Sequence, residues 1–367
     1  MRILVFTNTP AHVHLYRHAV ARLEERGHEV CVLGREAGCT TDLLEFYGMP
    51  YRTYGEHVPE TASRLEFGTA LASQFARIAR ATLEFQPDVV FGRGPYAAAA
   101  GTLARAPTVL VLDDEPTDFN HTISRPFADT ILSPSVTRRD LGDAHYTFDG
   151  FVECASLHPE VFDPDSTVHE YLGIDADEPY AILRFNALEA LHDAGLEGFT
   201  PSQRRDLIDR LGERLTVFVS DEGGTLDLAD LPARPYDLHP ALIHDAMAGA
   251  SLLVADTGTM VTEAGLLGTP ALRYRGTDDH VYGEFQELER QGLVEQFDTY
   301  AEVRDRALAL AGDGTAADRW QRRREAYVTD LVNLTNLLVD VAEARGSVDR
   351  LDPSSRRVVR PRSVVSR

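Results

Sequence analysis

The segment from Val254 to Pro270, VADTGTMVTEAGLLGTP, carries the strongest chemical signal in the sequence. A buried strand is predicted to end near Asp256, and Thr259 is predicted to cap the following helix, with Glu263 about one turn into it. Unpaired amides at a helix N-terminus can hold a diphosphate, and a glutamate can accept hydrogen bonds from both hydroxyls of a ribose. The alternative is an ordinary strand-to-helix turn with a capping box, although Thr259 and Glu263 lie one residue further apart than that motif requires. We predict that this segment binds a nucleotide through Asp256, Thr257, Gly258, Thr259, Met260 and Glu263.

The loop NTPAHVH, Asn8 to His14, follows the first predicted strand and holds two histidines. Histidine is the usual general base near neutral pH, so His12 or His14 is predicted to deprotonate an acceptor hydroxyl, with Asn8 among the acceptor-binding residues. The alternative is that one histidine caps the first helix and the other packs inward. No metal is predicted, because two histidines supply only two ligands where zinc sites take three or four.

The loop GRGPY, Gly92 to Tyr96, opens an alanine-rich helix after another predicted strand. Arg93 could bind an anionic acceptor group, and Gly94 permits close approach of a ligand to the backbone. The GxGxxA spacing is a weak dinucleotide fingerprint, because it follows a later strand than the first and no acidic residue stands at the required distance. We therefore predict no NAD cofactor here, and Arg93 and Gly94 are candidates for binding an acceptor.

The segment LDDEP, Leu112 to Pro116, ends a further predicted strand with three carboxylates. A cluster of this kind can raise one pKa and create a general acid or base, or it can bind a divalent ion. Solvated acidic turn residues are the alternative interpretation. The candidate catalytic carboxylates are Asp113, Asp114 and Glu115.

The segment RFNALEALHD, Arg184 to Asp193, begins at the end of the first predicted strand of the second half. Arg184 could face the helix terminus near Thr259 and neutralise a leaving diphosphate without a metal. An exposed loop is the alternative. His192 and Asp193 could orient one another or the nucleotide, and Ser220, which ends another predicted strand, could border the base.

Composition narrows the classes of function that fit the chain. The 58 acidic residues exceed the 36 basic residues by 22, which makes nucleic acid an improbable partner. All the basic residues are arginine, and the absence of lysine excludes Walker A, Schiff-base and lysine-base chemistry. The acid excess favours a protein adapted to high salt, where charges are screened over about 3 Å at 1 M; coding bias alone would explain the missing lysine and not the excess acid.

Helices and strands alternate along most of the chain, which predicts two α/β domains with doubly wound parallel sheets. The predicted strands include Arg2 to Thr7 and Ala271 to Tyr274, and the predicted helices include Pro201 to Leu211 and Ala316 to Arg345. We predict a first domain over residues 1–155, a second over 156–312, a helix over 313–345 that packs back on the first domain, and a disordered basic tail over 346–367.

Three cysteines without a CxxC pair indicate a reducing compartment, and no run reaches the roughly 20 apolar residues of a membrane span. A cytoplasmic protein is expected, and the sequence leaves its oligomeric state open.

Several of these segments resemble known families. DTGTMVTEAGLLGTP, Asp256 to Pro270, resembles the donor-nucleotide segment of GT-B glycosyltransferases and of non-hydrolysing nucleotide-sugar 2-epimerases, which carry a DSGG-like turn and a glutamate on the next helix. Together with NTPAHVHLYRHAVARLEERGHEV, Asn8 to Val30, and LRFNALEALHDAG, Leu183 to Gly195, it resembles the largely archaeal domain-of-unknown-function 354 family of predicted glycosyltransferases. The resemblance covers about residues 1 to 340.

The resemblance implies a GT-B-like α/β fold in which two Rossmann-like domains face each other across a cleft. It further implies transfer of a sugar from a nucleotide diphosphate sugar, most plausibly a uridine diphosphate sugar, to a hydroxyl acceptor without an essential metal or cofactor. The acceptor would be a glycan or a lipid-linked molecule of polysaccharide biosynthesis, and a lipid carrier would bring the protein to the inner face of the membrane. A 2-epimerase and a non-catalytic sugar-nucleotide or glycan-binding protein are the alternatives, and DDEPTD from Asp113 to Asp118 departs from the epimerase pattern.

Overall fold

Two α/β units make up the described chain. In a computed structural model, the first unit comprises Met1–Val161 and Leu331–Arg367, and the second comprises Phe162–Asp330. The structure describes residues 1–58, 63–113, 119–137, 140–186, 198–224, 226–275, 283–351 and 358–360. The chain therefore leaves the first unit after Val161 and returns to it at Leu331, where the sequence predicted boundaries at 155 and 312.

Both units are built mainly on parallel strands, and the central strands contain continuous apolar runs. The strands are β1 (Arg2–Thr7), β2 (Glu29–Glu36), β3 (Tyr51–Glu56), β4 (Val89–Gly92), β5 (Thr108–Val111), β6 (Thr130–Pro134), β7 (His145–Phe148), β8 (Tyr180–Phe185), β9 (Thr216–Asp221), β10 (Arg234–Pro235), β11 (Leu252–Ala255), β12 (Ala271–Tyr274), β13 (Val294–Phe297) and β14 (Val358–Val359). Central strands such as β1 and β11 are buried on both faces, which is expected when helices cover both sides of a parallel sheet.

Helices connect these strands. They are α1 (Pro10–Glu25), α2 (Thr40–Phe46), α3 (Arg64–Phe85), α4 (Pro95–Ala104), α5 (Phe119–Ser124), α6 (Cys154–Leu157), α7 (Val168–Leu172), α8 (Pro201–Gly212), α9 (Ile243–Gly249), α10 (Thr259–Leu267), α11 (Gly283–Arg290), α12 (Tyr300–Ala311), α13 (Ala316–Val328) and α14 (Leu334–Glu343). Within the part of the chain that the structure describes, none of them is long and apolar enough to cross a membrane.

The two sheets share one strand order. The first sheet runs β14-β7-β6-β5-β4-β1-β2-β3, and the second runs β10-β9-β8-β11-β12-β13. In each unit the first strand lies between the second and the fourth, so the strand order reverses between β1 and β4 and again between β8 and β11. Doubly wound sheets bind ligands outside the carboxyl ends of the strands at such a reversal. These two positions are therefore the expected ligand-binding positions of the two units.

The C-terminal part of the chain differs from its prediction. The stretch 313–345 contains two helices: α13 belongs to the second unit and α14 to the first. The break occurs because Asn333 caps α14 by accepting a hydrogen bond from the N–H of Asn336 at 3.2 Å, while the N–H of Val332 donates to the carbonyl of Asp149 at 2.7 Å. The predicted disordered tail is also wrong in part, because β14 pairs antiparallel with β7.

Candidate functional site

The strand reversal of the second unit brings together two of the segments predicted to bind a nucleotide, the end of β8 and the turn that follows β11. Arg184 of β8 pairs in register with Ala255 of β11, and Asp256 is the next residue along the chain. The turn of Thr257 and Gly258 then leads into α10. Segments that lie some 70 residues apart in the sequence thus meet at one edge of the sheet because β8 and β11 are parallel neighbours.

The first turn of α10 keeps its backbone donors available. Gly258 is the N-cap residue, so the prediction that Thr259 caps the helix is wrong; Thr259 is the first helical residue and is exposed. No side chain caps the helix, and the first hydrogen bond into it comes from the N–H of Thr262 to the carbonyl of Gly258. The amides of the three preceding residues therefore point out of the helix at its positive end, next to the half-buried Met260. The hydroxyl of Thr257 is buried and has no hydrogen-bond partner among the described residues.

Asp256 binds the backbone on both sides of the segment 187–197. Its Oδ1 accepts from the N–H of Asn186 at 2.8 Å, and its Oδ2 accepts from the N–H of Phe199 at 3.1 Å. Burial raises the pKa of Asp256 above its ordinary value, and the two backbone hydrogen bonds oppose that rise. Gly198 is required beside it, because a Cβ at that position would overlap Oδ2 of Asp256. This geometry favours a positioning role for Asp256 over direct contact with a nucleotide.

Arg204 of α8 donates hydrogen bonds to the carbonyls of the same two residues, Asn186 and Phe199. Its Nη2 donates to the carbonyl of Asn186 at 2.9 Å, and its Nε donates to the carbonyl of Phe199 at 3.0 Å. Its Nη1 donates to Oδ1 of Asp221 at 3.0 Å, and the Arg204 side chain is only 6% exposed. Arg204 was not predicted from the sequence. The available signal was its spacing, because it lies three and four residues before Leu207 and Ile208 and so shares the apolar face of the predicted helix.

Arg184 lies on the opposite face of the sheet from Asp256. Its Nη1 donates to Ser220 Oγ on the neighbouring strand at 2.5 Å, and it forms an ion pair with Glu222. Arg273 of β12 pairs in register with Ala255 on the other side, so two guanidinium groups flank that small residue on one sheet face. Arg273 is buried beneath the ring of Phe285, 4.3 Å from its centroid. An arginine within the apolar strand ALRY was the overlooked signal for Arg273.

Glu263 is buried one turn into α10. Its Oε1 lies 3.2 Å from Nε2 of His244, which α9 contributes and which is fully buried. Asp and Glu are rarely buried without a partner, so the histidine accounts for the depth of this carboxylate. Thr259 and Glu263 lie four residues apart and share a helix face, which places the carboxylate directly below the exposed helix terminus.

At the strand reversal of the first unit, Asn8 is the central residue. Its backbone N–H donates to Nδ1 of His12 at 3.1 Å, and its side-chain oxygen accepts from the hydroxyl of Tyr54 at 2.8 Å. Arg35 donates to its carbonyl oxygen at 3.2 Å. Asn8 thus connects the end of β1 to the first turn of α1 and to β3.

His12 is an uncharged ring within this cluster. Burial, with help from Arg93 and Arg35, holds the pKa of His12 well below its ordinary value. Because Nδ1 accepts the N–H of Asn8, the neutral ring carries its proton on Nε2 and offers a hydrogen-bond donor there. His14 is two residues further along α1, on the other side of the helix, where its ring packs edge-on against Tyr47 with centroids 5.9 Å apart. The general-base role of either histidine stays a prediction, and the geometry of His12 suits a donor better.

Arg93 and Asp113 form a partly buried ion pair at the ends of β4 and β5. Their side chains are 9% and 16% exposed. The second oxygen of Asp113, Oδ1, is buried and has no hydrogen-bond partner among the described residues. Gly94 follows Arg93 with a φ of 149°, a value that favours glycine, and serves as the N-cap of α4. The structure thus joins one predicted acceptor-binding residue to one predicted catalytic carboxylate.

Four predicted site residues lie outside the described residues, namely Asp114, Glu115, His192 and Asp193. Among the residues that are described, no group of three or more His, Cys, Asp or Glu side chains is placed to hold a metal ion. The metal-independent chemistry stays a prediction.

The buried neutral state of His12 predicts a pH dependence of stability. Below the unfolded-state pKa of about 6.5, the unfolded chain binds a proton that the native ring does not, so stability falls on acidification. We expect His12→Asn, which retains an acceptor, to remove up to about 1.4 kcal/mol of that loss per pH unit. Urea unfolding at pH 7.5, 6.5 and 5.5, followed by circular dichroism, measures the difference between wild type and variant. If the stability of wild type and of the variant falls equally on acidification, His12 binds protons alike in the native and unfolded states, and its pKa is not lowered by folding.

Comparison with known proteins relates this geometry to a family. A family model described as "Protein of unknown function (DUF354)" matches residues 2–281. An uncharacterized protein of Methanocaldococcus jannaschii is 24% identical over 287 residues, which cover 72% of this chain and 79% of that protein.

Solved structures identify the fold. The spinosyn forosaminyltransferase SpnP is similar with a TM-score of 0.66 and 14% identity, covering 95% of this chain and 100% of that one. The UDP-GlcNAc 2-epimerase of Neisseria meningitidis, solved with UDP-GlcNAc, is similar with a TM-score of 0.61 and 12% identity, covering 94% and 99%. The predicted GT-B-like fold of two Rossmann-like units is confirmed.

Proposed function

The chain belongs to the DUF354 family, and from its two strand-reversal sites we propose that it is a GT-B type glycosyltransferase that uses a nucleotide diphosphate sugar as donor. The observation that carries the proposal is the edge of the second sheet, where an uncapped helix terminus, two guanidinium groups and a buried glutamate lie within adjacent elements. These groups match the diphosphate and the ribose of such a donor in chemistry and order.

On the donor side, the amides that begin α10 bind the diphosphate, with the hydroxyls of Thr257 and Thr259 beside them. Arg184 supplies positive charge to the leaving diphosphate, and its contacts with Ser220 and Glu222 set the direction of its guanidinium group. Preorganised donors aimed at developing charge are a large part of catalysis in such reactions. Glu263 accepts hydrogen bonds from the ribose.

On the acceptor side, Asp113 is the general base. Arg93 holds one of its oxygens, and Oδ1 has no donor among the described residues, so it can accept the proton of an acceptor hydroxyl. His12 donates a hydrogen bond from Nε2 to the acceptor. In the transfer step the acceptor oxygen forms a bond to the anomeric carbon of the sugar, and its proton passes to Asp113. The bond from that carbon to the diphosphate breaks, and the nucleoside diphosphate leaves with the electron pair.

We propose a uridine diphosphate sugar as the donor, supported by the epimerase of similar fold that was solved with UDP-GlcNAc. The acceptor is a glycan or a lipid-linked molecule of polysaccharide biosynthesis. The acid excess supports a protein that works at high salt. A lipid-linked acceptor would place the protein at the inner face of the membrane.

The second candidate function is nucleotide-sugar 2-epimerisation. It is favoured by the fold likeness to a 2-epimerase over nearly the whole of both chains. An epimerase would use acidic residues near the end of β5 to remove and return a proton on the donor sugar. Asp113 would then remove a proton from the donor sugar instead of from an acceptor hydroxyl. The two functions therefore use the same carboxylate but give different products.

A screen of nucleotide sugars in molar salt tests both candidates. Each donor is added to the protein, the shift in unfolding temperature is measured, and every stabilising donor is analysed by mass and chromatography after incubation. A ligand at roughly 100 times its dissociation constant stabilises the native state by about 2.7 kcal/mol.

The products decide between the candidates. Slow release of a nucleoside diphosphate from one stabilising donor supports a transferase. A donor of unchanged mass that elutes as a new epimer supports an epimerase. If no nucleotide sugar stabilises the protein, both functions are wrong.

A further inference from the structure

His244 and Glu263 form a buried pair that the proposed chemistry does not by itself explain. His244 is fully buried, with Nε2 3.2 Å from Oε1 of Glu263, whose side chain is only 10% exposed. The ring of Phe162 meets the His244 ring edge-on, with centroids 6.1 Å apart and an angle of 89° between the planes. The imidazole is therefore fixed on one side by an aromatic ring and directed on the other at the carboxylate.

The position of Glu263 relates this pair to the nucleotide. Glu263 lies on the same helix face as Thr259 and about one turn further along α10, a rise of about 6 Å between the two residues. In the proposed function, a donor whose diphosphate lies at the helix terminus places the two hydroxyls of its ribose at this carboxylate. A carboxylate oxygen has two lone pairs, so Oε1 can accept from His244 and from a ribose hydroxyl at once.

We propose that His244 is a positioning residue that fixes the carboxylate plane of Glu263 for both hydroxyls of a ribose, and that the site therefore selects ribonucleotides over 2′-deoxyribonucleotides. Without the histidine, the carboxylate loses the hydrogen bond from Nε2 that holds Oε1, and its two oxygens no longer meet the two hydroxyls together. The inference rests on the proposed nucleotide-sugar function and adds a class of donor that the site rejects, namely sugars carried on deoxythymidine diphosphate.

Affinity for paired nucleotides tests this role in the full chain. The probes are ADP, GDP, CDP and UDP, each compared with its 2′-deoxy counterpart by calorimetry in molar salt. A hydrogen bond to a charged group predicts that wild type binds its preferred ribonucleotide about tenfold more tightly than the deoxy form. His244→Phe keeps a ring against Phe162 and removes the N–H, so we expect the ratio to fall to about one while deoxynucleotide affinity is retained.

Two further variants separate positioning from general damage. His244→Gln restores a side-chain donor and is expected to recover part of the ratio. His145→Phe is the matched control, because His145 is an equally buried histidine of the first unit, with Nε2 2.6 Å from Oγ of Ser133. It is expected to lower stability and leave the ratio unchanged.

The outcomes distinguish this inference from the function on which it rests. If a ribonucleotide binds wild type but its deoxy form binds equally well, or if His244→Phe keeps the full preference, the positioning role is wrong and the nucleotide site stands. If none of the eight nucleotides binds wild type, the proposed function fails and this inference fails with it. A ratio lost in His244→Phe and partly regained in His244→Gln supports the positioning role.

Discussion

Asp113→Asn is expected to lower turnover by roughly 10²- to 10⁴-fold, the usual contribution of a general base. The substituted side chain keeps the shape of the carboxylate and a hydrogen-bond acceptor for Arg93, but it cannot take the proton of an acceptor hydroxyl. Donor affinity is expected to stay within about twofold, because the predicted donor groups belong to the second unit. Release of the nucleoside diphosphate gives the rate, and calorimetry gives the affinity.

Asp88→Asn is the matched control for this prediction. Asp88 lies at the amino end of β4 in the same sheet, where its carboxylate accepts from the N–H of Arg2 at 2.8 Å. Its substitution is expected to affect stability and leave turnover unchanged. Should Asp113→Asn keep more than about a tenth of wild-type turnover, a general-base role for Asp113 is wrong, and Asp114 or Glu115 becomes the candidate.

The strands that hold the site could be predicted because they are central in their sheets. Arg2–Thr7 and Ala271–Tyr274 were predicted to the residue, since a strand buried on both faces reads as a continuous apolar run. Tyr51–Glu56 and Val294–Phe297 were missed, and both are edge strands with several exposed or half-exposed residues. An edge strand leaves only a weak periodic signal because much of its surface faces water.

The loops that carry chemistry could also be predicted, since each directly follows a recognisable strand. The sequence does not reveal which of these side chains form hydrogen bonds within the protein instead of contacting a ligand. Asp256 and Arg204 meet through the backbone of Asn186 and Phe199, and no spacing rule relates these positions. The same reason explains why the pairing of Glu263 with His244 was not predicted.

The prediction of one long C-terminal helix was wrong for a different reason. Residues 316–345 read as one helical stretch, because local propensity hardly distinguishes a continuous helix from two helices with a short break. The break is specified by tertiary contacts, the hydrogen bond of Val332 to Asp149 and the cap at Asn333. Tertiary context therefore overrides local propensity at the point where the chain returns to the first unit.

Arg204→Met is expected to lower the free energy of unfolding of the second unit by about 3 to 5 kcal/mol, the usual cost of removing one partner from a buried ion pair. The substitution leaves the Asp221 carboxylate without its charged partner and removes the donors to the carbonyls of Asn186 and Phe199. The single tryptophan, Trp320, is fully buried in the core of the second unit. Urea unfolding followed by its fluorescence therefore measures this unit specifically.

Arg205→Met provides the matched control, because Arg205 is the exposed neighbour on the same helix and its substitution is expected to change stability by less than about 0.5 kcal/mol. Replacing Asp221 as well, in Arg204→Met with Asp221→Leu, is expected to recover part of the loss, since two apolar side chains tolerate burial better than a carboxylate that has lost its charged partner. A fluorescence transition in Arg204→Met within about 1 kcal/mol of wild type would contradict the assignment. The hydrogen bonds of Asp256 to Asn186 and Phe199 would then be the main contacts at the two ends of the segment 187–197. Asp256→Asn would in that case lower the free energy of unfolding more than Arg204→Met.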